Sequence, residues 1–245
     1  MSGIAEEAAA VPAGNPYQPQ MARIVRIYKM VPENHLFTLR FLDPELVAGF
    51  RHQPGQFVMV SVPGAWEMPI SIASSPSRSG VLELCVRRVG RVTNALYRLK
   101  TNDLVGLRGP YGNGFPIADM RGMLFGEELA SLADRADMSC LLTVDADPAG
   151  SWKHYIGLLP SLFDRAAIDP PRTYAAVCGP PVVYQFILRR LLELGFSKDR
   201  ILMSLERRMK CGIGKCGHCL VGHKYSCLDG PIFTYWDAIN LPEMI

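Results

Sequence analysis

The chain has 245 residues, 49% of them hydrophobic and 20% charged, with a formal net charge of +3. These values suit one large or two modest globular domains, each with its own core. The small basic excess gives no sign of a nucleic-acid binder, and no apolar run approaches the roughly 18 residues of a membrane helix.

Residues 1–20, MSGIAEEAAAVPAGNPYQPQ, carry no basic n-region and no apolar h-region. They are read as a short flexible tail and not as a secretory signal. A cytoplasmic chain follows as the expectation, and there thiols stay reduced. From Met21 to Ile117 the sequence predicts six short strands, RIVRIYKM, HLFTLRF, QFVMVSV, PISIAS, VLELCVRRV and DLVGLRG, parted by Pro/Gly/Asn/Asp breaks. Six strands at this spacing suggest an antiparallel barrel. One helix interrupts them, TNALYRLK, with Thr93 expected as its N-cap and Leu96 and Leu99 on one face.

From Ala118 the texture becomes α/β. LFGEELASLADRA reads as helix, SCLLTVDAD as a buried strand, and HYIGLLPSLFDRA as containing a helix. RTYAAVCG is a second strand and RILMSLE a third. PVVYQFILRRLLELG between them is an amphipathic helix with Val183, Ile187, Leu191 and Leu194 on one stripe, Pro181 at its start and Gly195 just past its end. Alternating strands and helices argue for a parallel sheet. Asp145 and Asp147, at the end of the first of these strands, read as a polar loop.

Four of the seven cysteines lie between Arg207 and Cys227, in RRMKCGIGKCGHCLVGHKYSC. Their spacing, Cys211-x4-Cys216-x2-Cys219-x7-Cys227, is the plant-type [2Fe–2S] arrangement. Gly212, Gly214 and Gly217 allow the backbone to wrap closely around such a group. Arg207, Arg208, Lys210 and Lys215 would offset the charge of four thiolates. The alternative is a four-cysteine zinc site, which normally uses two C-x2-C pairs where this segment has one. His218 and His223 are read as solvated, and Cys85 and Cys140 as small buried hydrophobes.

The words SLERRMKCGIGKCGHC and CLDGPIF, with PISIAS, VGRVTNAL, GPYGNGF and CGPP, resemble the flavin and iron–sulfur electron-transfer subunits of the ferredoxin–NADP reductase superfamily. Among these, the chain is most similar to the gamma subunits of cytoplasmic nickel–iron hydrogenases. It also resembles the B subunit of anaerobic sulfite reductase and the electron-transfer subunit of dihydroorotate dehydrogenase. The resemblance implies a β barrel plus α/β architecture. Residues 1–20 would be a tail and 21–117 an antiparallel FAD-binding barrel. Residues 118–205 would form a shortened parallel α/β domain like a nucleotide-binding one, and 206–245 a small iron–sulfur lobe.

The same resemblance implies that Pro69, Ile70 and Ser71 meet the flavin, with Met68 and Ile70 where the family has an arginine and an aromatic residue. Gly90, Thr93 and Asn94, at the start of the barrel's helix, would then hold the FAD phosphates, aided by Arg87. Without a ligand that segment is an ordinary helix cap. Gly109 would close the barrel near the flavin, and Cys178, Gly179 and Pro180 would lie near a nicotinamide. The glycine-rich phosphate loop that opens a nicotinamide-binding domain is missing after the barrel. The implied loss is a strand–loop–helix–strand unit on the order of 30 residues.

The expected function is that of an electron-transfer subunit passing electrons between FAD and a [2Fe–2S] cluster, with catalytic and other iron–sulfur subunits of a hetero-oligomeric redox complex as partners. NAD(P)H either still binds a remodelled site or is replaced by a protein partner in a flavin–cluster conduit. A shortened gene product and a non-enzymatic four-cysteine zinc module are the remaining readings.

Overall fold

The computed structural model describes residues 15–115 and 139–241, apart from positions 149, 151, 180 and 206. The first 14 residues of the expected tail, the helix expected over Leu124–Ala136, and Pro180 lie outside the described residues.

All six strands of the first half form where the alternation places them. They are β1 (Gln20–Val31), β2 (Asn34–Phe41), β3 (Phe57–Ser61), β4 (Glu67–Ser71), β5 (Leu82–Arg87) and β6 (Leu104–Tyr111). They join in one antiparallel sheet in the order β4-β3-β6-β1-β2-β5. Its edges are β4 and β5, and just beyond β4 the Ala73 N–H donates to the Glu83 carbonyl of β5 at 2.8 Å. Inward-facing Ile24, Phe37, Leu39, Val58, Val60, Leu84 and Leu107 make one continuous core. Fully burying a side chain of this size contributes about 1.5–3 kcal/mol.

Parity along β5 corrects the reading of Cys85. Leu82, Leu84 and Val86 point inward, so Cys85 between them is exposed; period two overrides local apolarity. Cys140 is half-buried.

Two short helices decorate the sheet. The first, α1 (Pro44–Gly49), was not expected, although its start is conventional: the Asp43 carboxylate accepts the Glu45 N–H at 2.8 Å and Pro44 follows. The second, α2 (Arg91–Leu96), begins earlier than TNALYRLK implied, with Gly90 as its N-cap. Thr93 sits at the third helical position and reaches back, its hydroxyl accepting from the N–H groups of Val89 (3.0 Å) and Gly90 (2.8 Å). A threonine there satisfies the entry backbone from inside the first turn, which explains the shifted start. Leu96 is buried and Leu99 packs on the core, as expected.

The sheet and residues 204–233 belong to one compact unit; residues 116–203 form a second. In the second unit the strands are short. SCLLTVDAD shrinks to β7 (Thr143–Val144), and it pairs in parallel with β8 (Tyr155–Ile156) instead of with the later strands. Asp147 stops the extended run: its carboxylate accepts the Trp152 N–H at 2.6 Å and its carbonyl accepts from Gly150. A seven-residue 3-10 helix, Leu159–Arg165, follows. RTYAAVCG and RILMSLE form β9 (Ala175–Val177) and β10 (Ile201–Ser204), a parallel pair. Between them runs α3 (Pro181–Glu193), burying Tyr184, Ile187, Leu188 and Leu191. Gly195 ends it at φ +91°, its N–H bonding Leu192 O while Phe196 N–H bonds Leu191 O. This is the left-handed terminus that glycine permits.

Candidate functional site

The site is built on β3, whose uninterrupted apolar run FVMV has both faces buried. Val58 and Val60 face the sheet's core. Phe57 and Met59 face the other way and pack with Tyr111, Cys219 and Cys227, with Met209, Ile213 and Tyr225 around them. The cysteine segment therefore covers the outer face of β3 and β6. The contact is close: a Cβ on Gly212 would stand 3.0 Å from two ring carbons of Tyr111, and Gly212 has φ +77°. Only glycine combines that backbone with that approach.

A polar clasp completes the docking. Asn113, just after β6, donates to the carbonyls of Asp229 (2.9 Å) and Ile232 (2.7 Å) and accepts the Ile232 N–H at 2.9 Å. Buried Gln56 donates to Gly112 O at 2.7 Å. The GPYGNGF segment thus seats the CLDGPIF segment. Asn113, Gln56, Glu67 and Arg108 are site residues that the sequence reading missed; the one available signal was the double-sided apolarity of β3.

The four cysteines come together as two pairs. Burial pushes the Cys211 thiol up, but N–H donors from Ile213, Lys215 and Cys216 and a hydrogen bond with the Cys216 side chain outweigh it and lower it to about 7. Cys227 is pushed up to about 12 by burial and by its hydrogen bond with Cys219, against the Gly214 N–H that donates to its sulfur at 3.1 Å. Cys211, Cys219 and Cys227 are buried and Cys216 is exposed. Paired thiols fit a dinuclear iron–sulfur group, in which each iron takes two protein ligands. Ser226 adds to the fit. It lies fully buried beside Cys227, its N–H on Cys219 O, and its hydroxyl has no partner among the described residues. A sulfur acceptor beside Cys227 would satisfy it.

On β4, Pro69 and Ile70 are half-buried and Ser71 is exposed. Pro69 lines a cavity of about 710 Å³ together with Arg207, Arg208, Met209, Lys210 and His218. The structure thus brings the expected flavin strand and the cysteine loop to one basic cavity. Gly109 lies on β6 in the left-handed half of backbone space, with Phe57 O 3.2 Å from the position of a Cβ. Arg87 is exposed at the end of β5. Near Gly90, the Thr93 hydroxyl is occupied by its own loop, and the Asn94 side-chain oxygen accepts from Arg88 at 2.8 Å. Cys178 and Gly179 are exposed after β9, in the second unit. Asp145 and Asp147 belong to a polar turn. His218 and His223 are both exposed.

Residues 22–115 match the family model of the oxidoreductase FAD-binding domain, and residues 206–238 that of the iron–sulfur cluster binding domain of dihydroorotate dehydrogenase B. Sheet, paired cysteines and both matches define a flavin and iron–sulfur electron-transfer oxidoreductase subunit. Sulfhydrogenase 1 subunit gamma of Pyrococcus furiosus is 37% identical over 285 aligned positions, covering 96% of this chain and 97% of the relative. The chain belongs to the family of these gamma subunits. A probable dihydroorotate dehydrogenase B (NAD(+)) electron transfer subunit of Thermoplasma volcanium is 34% identical over 214 positions, 78% of this chain and 82% of the relative. In fold, the chain is similar to a solved NADH-dependent reduced ferredoxin–NADP oxidoreductase (TM-score 0.66, 21% identity, 91% of this chain and 90% of that one). Among the described residues no helix is long and apolar enough to cross a membrane.

Proposed function

We propose that this subunit relays electrons between FAD and a [2Fe–2S] cluster, and that its partners are the catalytic and further iron–sulfur subunits of a hydrogenase-type complex in the cytoplasm. Cys211 and Cys216 hold one iron, and Cys219 and Cys227 the other. Pro69, Ile70, Ser71 and Gly109 would hold the flavin, on a six-stranded sheet that would curl into the barrel carrying it. Arg207, Arg208 and Lys210 of the adjoining cavity would offer it positive charge. The FAD phosphates take the amide end of α2 at Gly90, with Arg87 and the Asn94 amide; the Thr93 hydroxyl holds the turn in shape. The functional division is 21–117 for FAD, 118–205 for the shortened α/β region and 206–245 for the cluster, with 1–20 preceding them. When bound, FAD supplies two-electron hydride chemistry with one-electron release, and the cluster supplies one-electron transfer.

The observation that carries this reading is the pairing of the four thiols against β3, in the same compact unit as the FAD-binding sheet. Anoxically purified full-length protein is expected to show flavin bands, broad iron–sulfur absorption and about two irons and two labile sulfides per chain. A colourless protein holding one zinc would overturn it.

The reading extends to the electron source. The alignment with the Pyrococcus gamma subunit runs over 285 positions and this chain has 245 residues, so at least 40 positions fall opposite gaps in this chain. That supports a missing phosphate-loop unit, which would normally place a dinucleotide pyrophosphate at a helix N-terminus. Cys178, Gly179 and Pro180 alone do not replace it. The proposal is therefore a flavin–cluster conduit that exchanges electrons with protein partners and does not hold NAD(P)H tightly. Anaerobic mixing with NADH and with NADPH, followed by flavin absorbance, tests it. Bleaching at turnover rates sinks the conduit; unbleached flavin that dithionite reduces supports it.

A further inference from the structure

One ion pair on the sheet, its arginine buried and its carboxylate partly exposed, reaches the cysteine loop and is used by none of the cofactor assignments. Glu67 on β4 and Arg108 on β6 stand on either side of β3, where Ser61 pairs with Glu67 and Met59 with Arg108. Across the strand between them, Arg108 Nε and Nη2 donate to Glu67 Oε1 (2.9 Å) and Oε2 (2.6 Å) as a planar fork. The Ser61 hydroxyl donates to the same carboxylate at 2.6 Å. The other end of the guanidinium serves the cysteine loop: Nη1 donates to the Cys211 carbonyl at 3.1 Å, to the Tyr111 hydroxyl at 3.0 Å and to the Pro16 carbonyl at 2.9 Å. The Arg108 side chain is only 2% exposed, that of Glu67 29%. Hydrogen bonds with Glu67 raise Arg108 further above its ordinary value. Burial pushes the Glu67 carboxyl up, but bonds from Arg108 and Ser61 win and hold it below the usual carboxylate range.

A pair with its cation this deeply buried is a weak source of net stability, because desolvation offsets most of the attraction. Its geometry points elsewhere. The forked face is turned to Glu67 and the remaining nitrogen to the backbone of a cluster ligand, so the cation lies nearer Cys211 than its counter-ion does. Lysine, with one ammonium, cannot serve those directions at once.

We infer that Arg108, balanced by Glu67, is a positioning residue that clamps the Cys211 end of the cluster loop to the sheet and sets the reduction potential of the cluster. The inference rests on the four cysteines being cluster ligands. Reduction by one electron would make and break no bond; the electron would go to one iron, so the group held by the four thiolates would become more negative by one unit. A cation as buried and as fixed as Arg108 feels that charge more strongly than one in water. Arg108 favours the reduced form and Glu67 moderates it.

The two residues therefore predict shifts of opposite sign. In the full-length holoprotein, dithionite titration followed by electron paramagnetic resonance should show Arg108→Met making cluster reduction about tenfold less favourable, equal to 59 mV for one electron. Glu67→Gln should make it more favourable. Arg108→Lys should keep the potential near wild type while speeding amide hydrogen exchange over residues 211–216. A role in folding alone would give no opposition of sign. Shifts in the same direction, or potentials unchanged in both variants, overturn the inference. If Arg108→Met does not fold, Glu67→Gln and Arg108→Lys decide: the first must raise the potential and the second must hold it, or the inference fails. A wild-type protein with no iron–sulfur resonance after reduction overturns the cluster reading instead.

Discussion

The two compact units are built to different standards of order. In the first, strands of 5 to 12 residues form one six-stranded sheet, and β3, next to its β4 edge, is buried on both faces. In the second, the strands run two to four residues and form parallel pairs, and the largest apolar element among the described residues is the helix α3. Parallel pairing is slightly weaker per residue than antiparallel, and two-residue ladders add little cooperativity. The difference teaches where this chain has kept its chemistry. The FAD-binding sheet and the cysteine loop are one structural body, joined by Phe57, Met59, Asn113 and Arg108, while in the second unit α3 carries more of the described buried side chains than any other element.

Four substitutions test that division, from the largest effect downward. Cys216→Ala removes one thiolate of a pair, so iron and labile sulfide should be lost while flavin content stays near wild type; loss of both would mean that the loop and the flavin sheet do not load separately. Leu191→Ala empties a site 1% exposed on α3 and should cost about 2–5 kcal/mol. That loss should fall on the second unit, giving an early unfolding transition by circular dichroism with flavin and iron–sulfur absorption intact. A single transition taking everything would break the distinction between units.

Asn113→Ala removes three hydrogen bonds to the CLDGPIF segment, at about 0.5–1.5 kcal/mol each. Hydrogen exchange should rise over residues 226–233 and not in α3. Gly212→Ala forces a β-carbon to within 3.0 Å of Tyr111 at φ +77°; the left-handed backbone alone costs about 1–2 kcal/mol. Partial loss of iron with normal flavin is the expected result, and full iron content would show that the lobe yields more easily than its packing implies.

Much of the first unit was legible because period-two alternation is a strong signal. It placed all six strands, and the cysteine spacing with its glycines outlined the loop in which the four thiols fall into pairs. The errors came where one residue had two plausible roles. Thr93 could cap a helix or brace it from its third position, and backbone hydrogen bonding chose the second. Cys85 looked buried by neighbourhood, but strand parity turned it out. SCLLTVDAD was apolar enough for a long strand, yet among the described residues ladder partners exist for two of its residues.

By itself, then, the sequence determined the local grammar: strand positions, the helix stop at Gly195, the four thiols and the absence of a glycine-rich phosphate loop. These depend on propensity, spacing and backbone freedom, all local quantities. Only the tertiary structure decided that the cysteine loop covers the outer face of β3, that its thiols fall into two pairs, and that Arg108, 103 positions before Cys211, holds that cysteine's carbonyl. Contacts between residues so far apart depend on which face of a strand is left uncovered, and strand patterning shows that a face must be buried without naming what buries it.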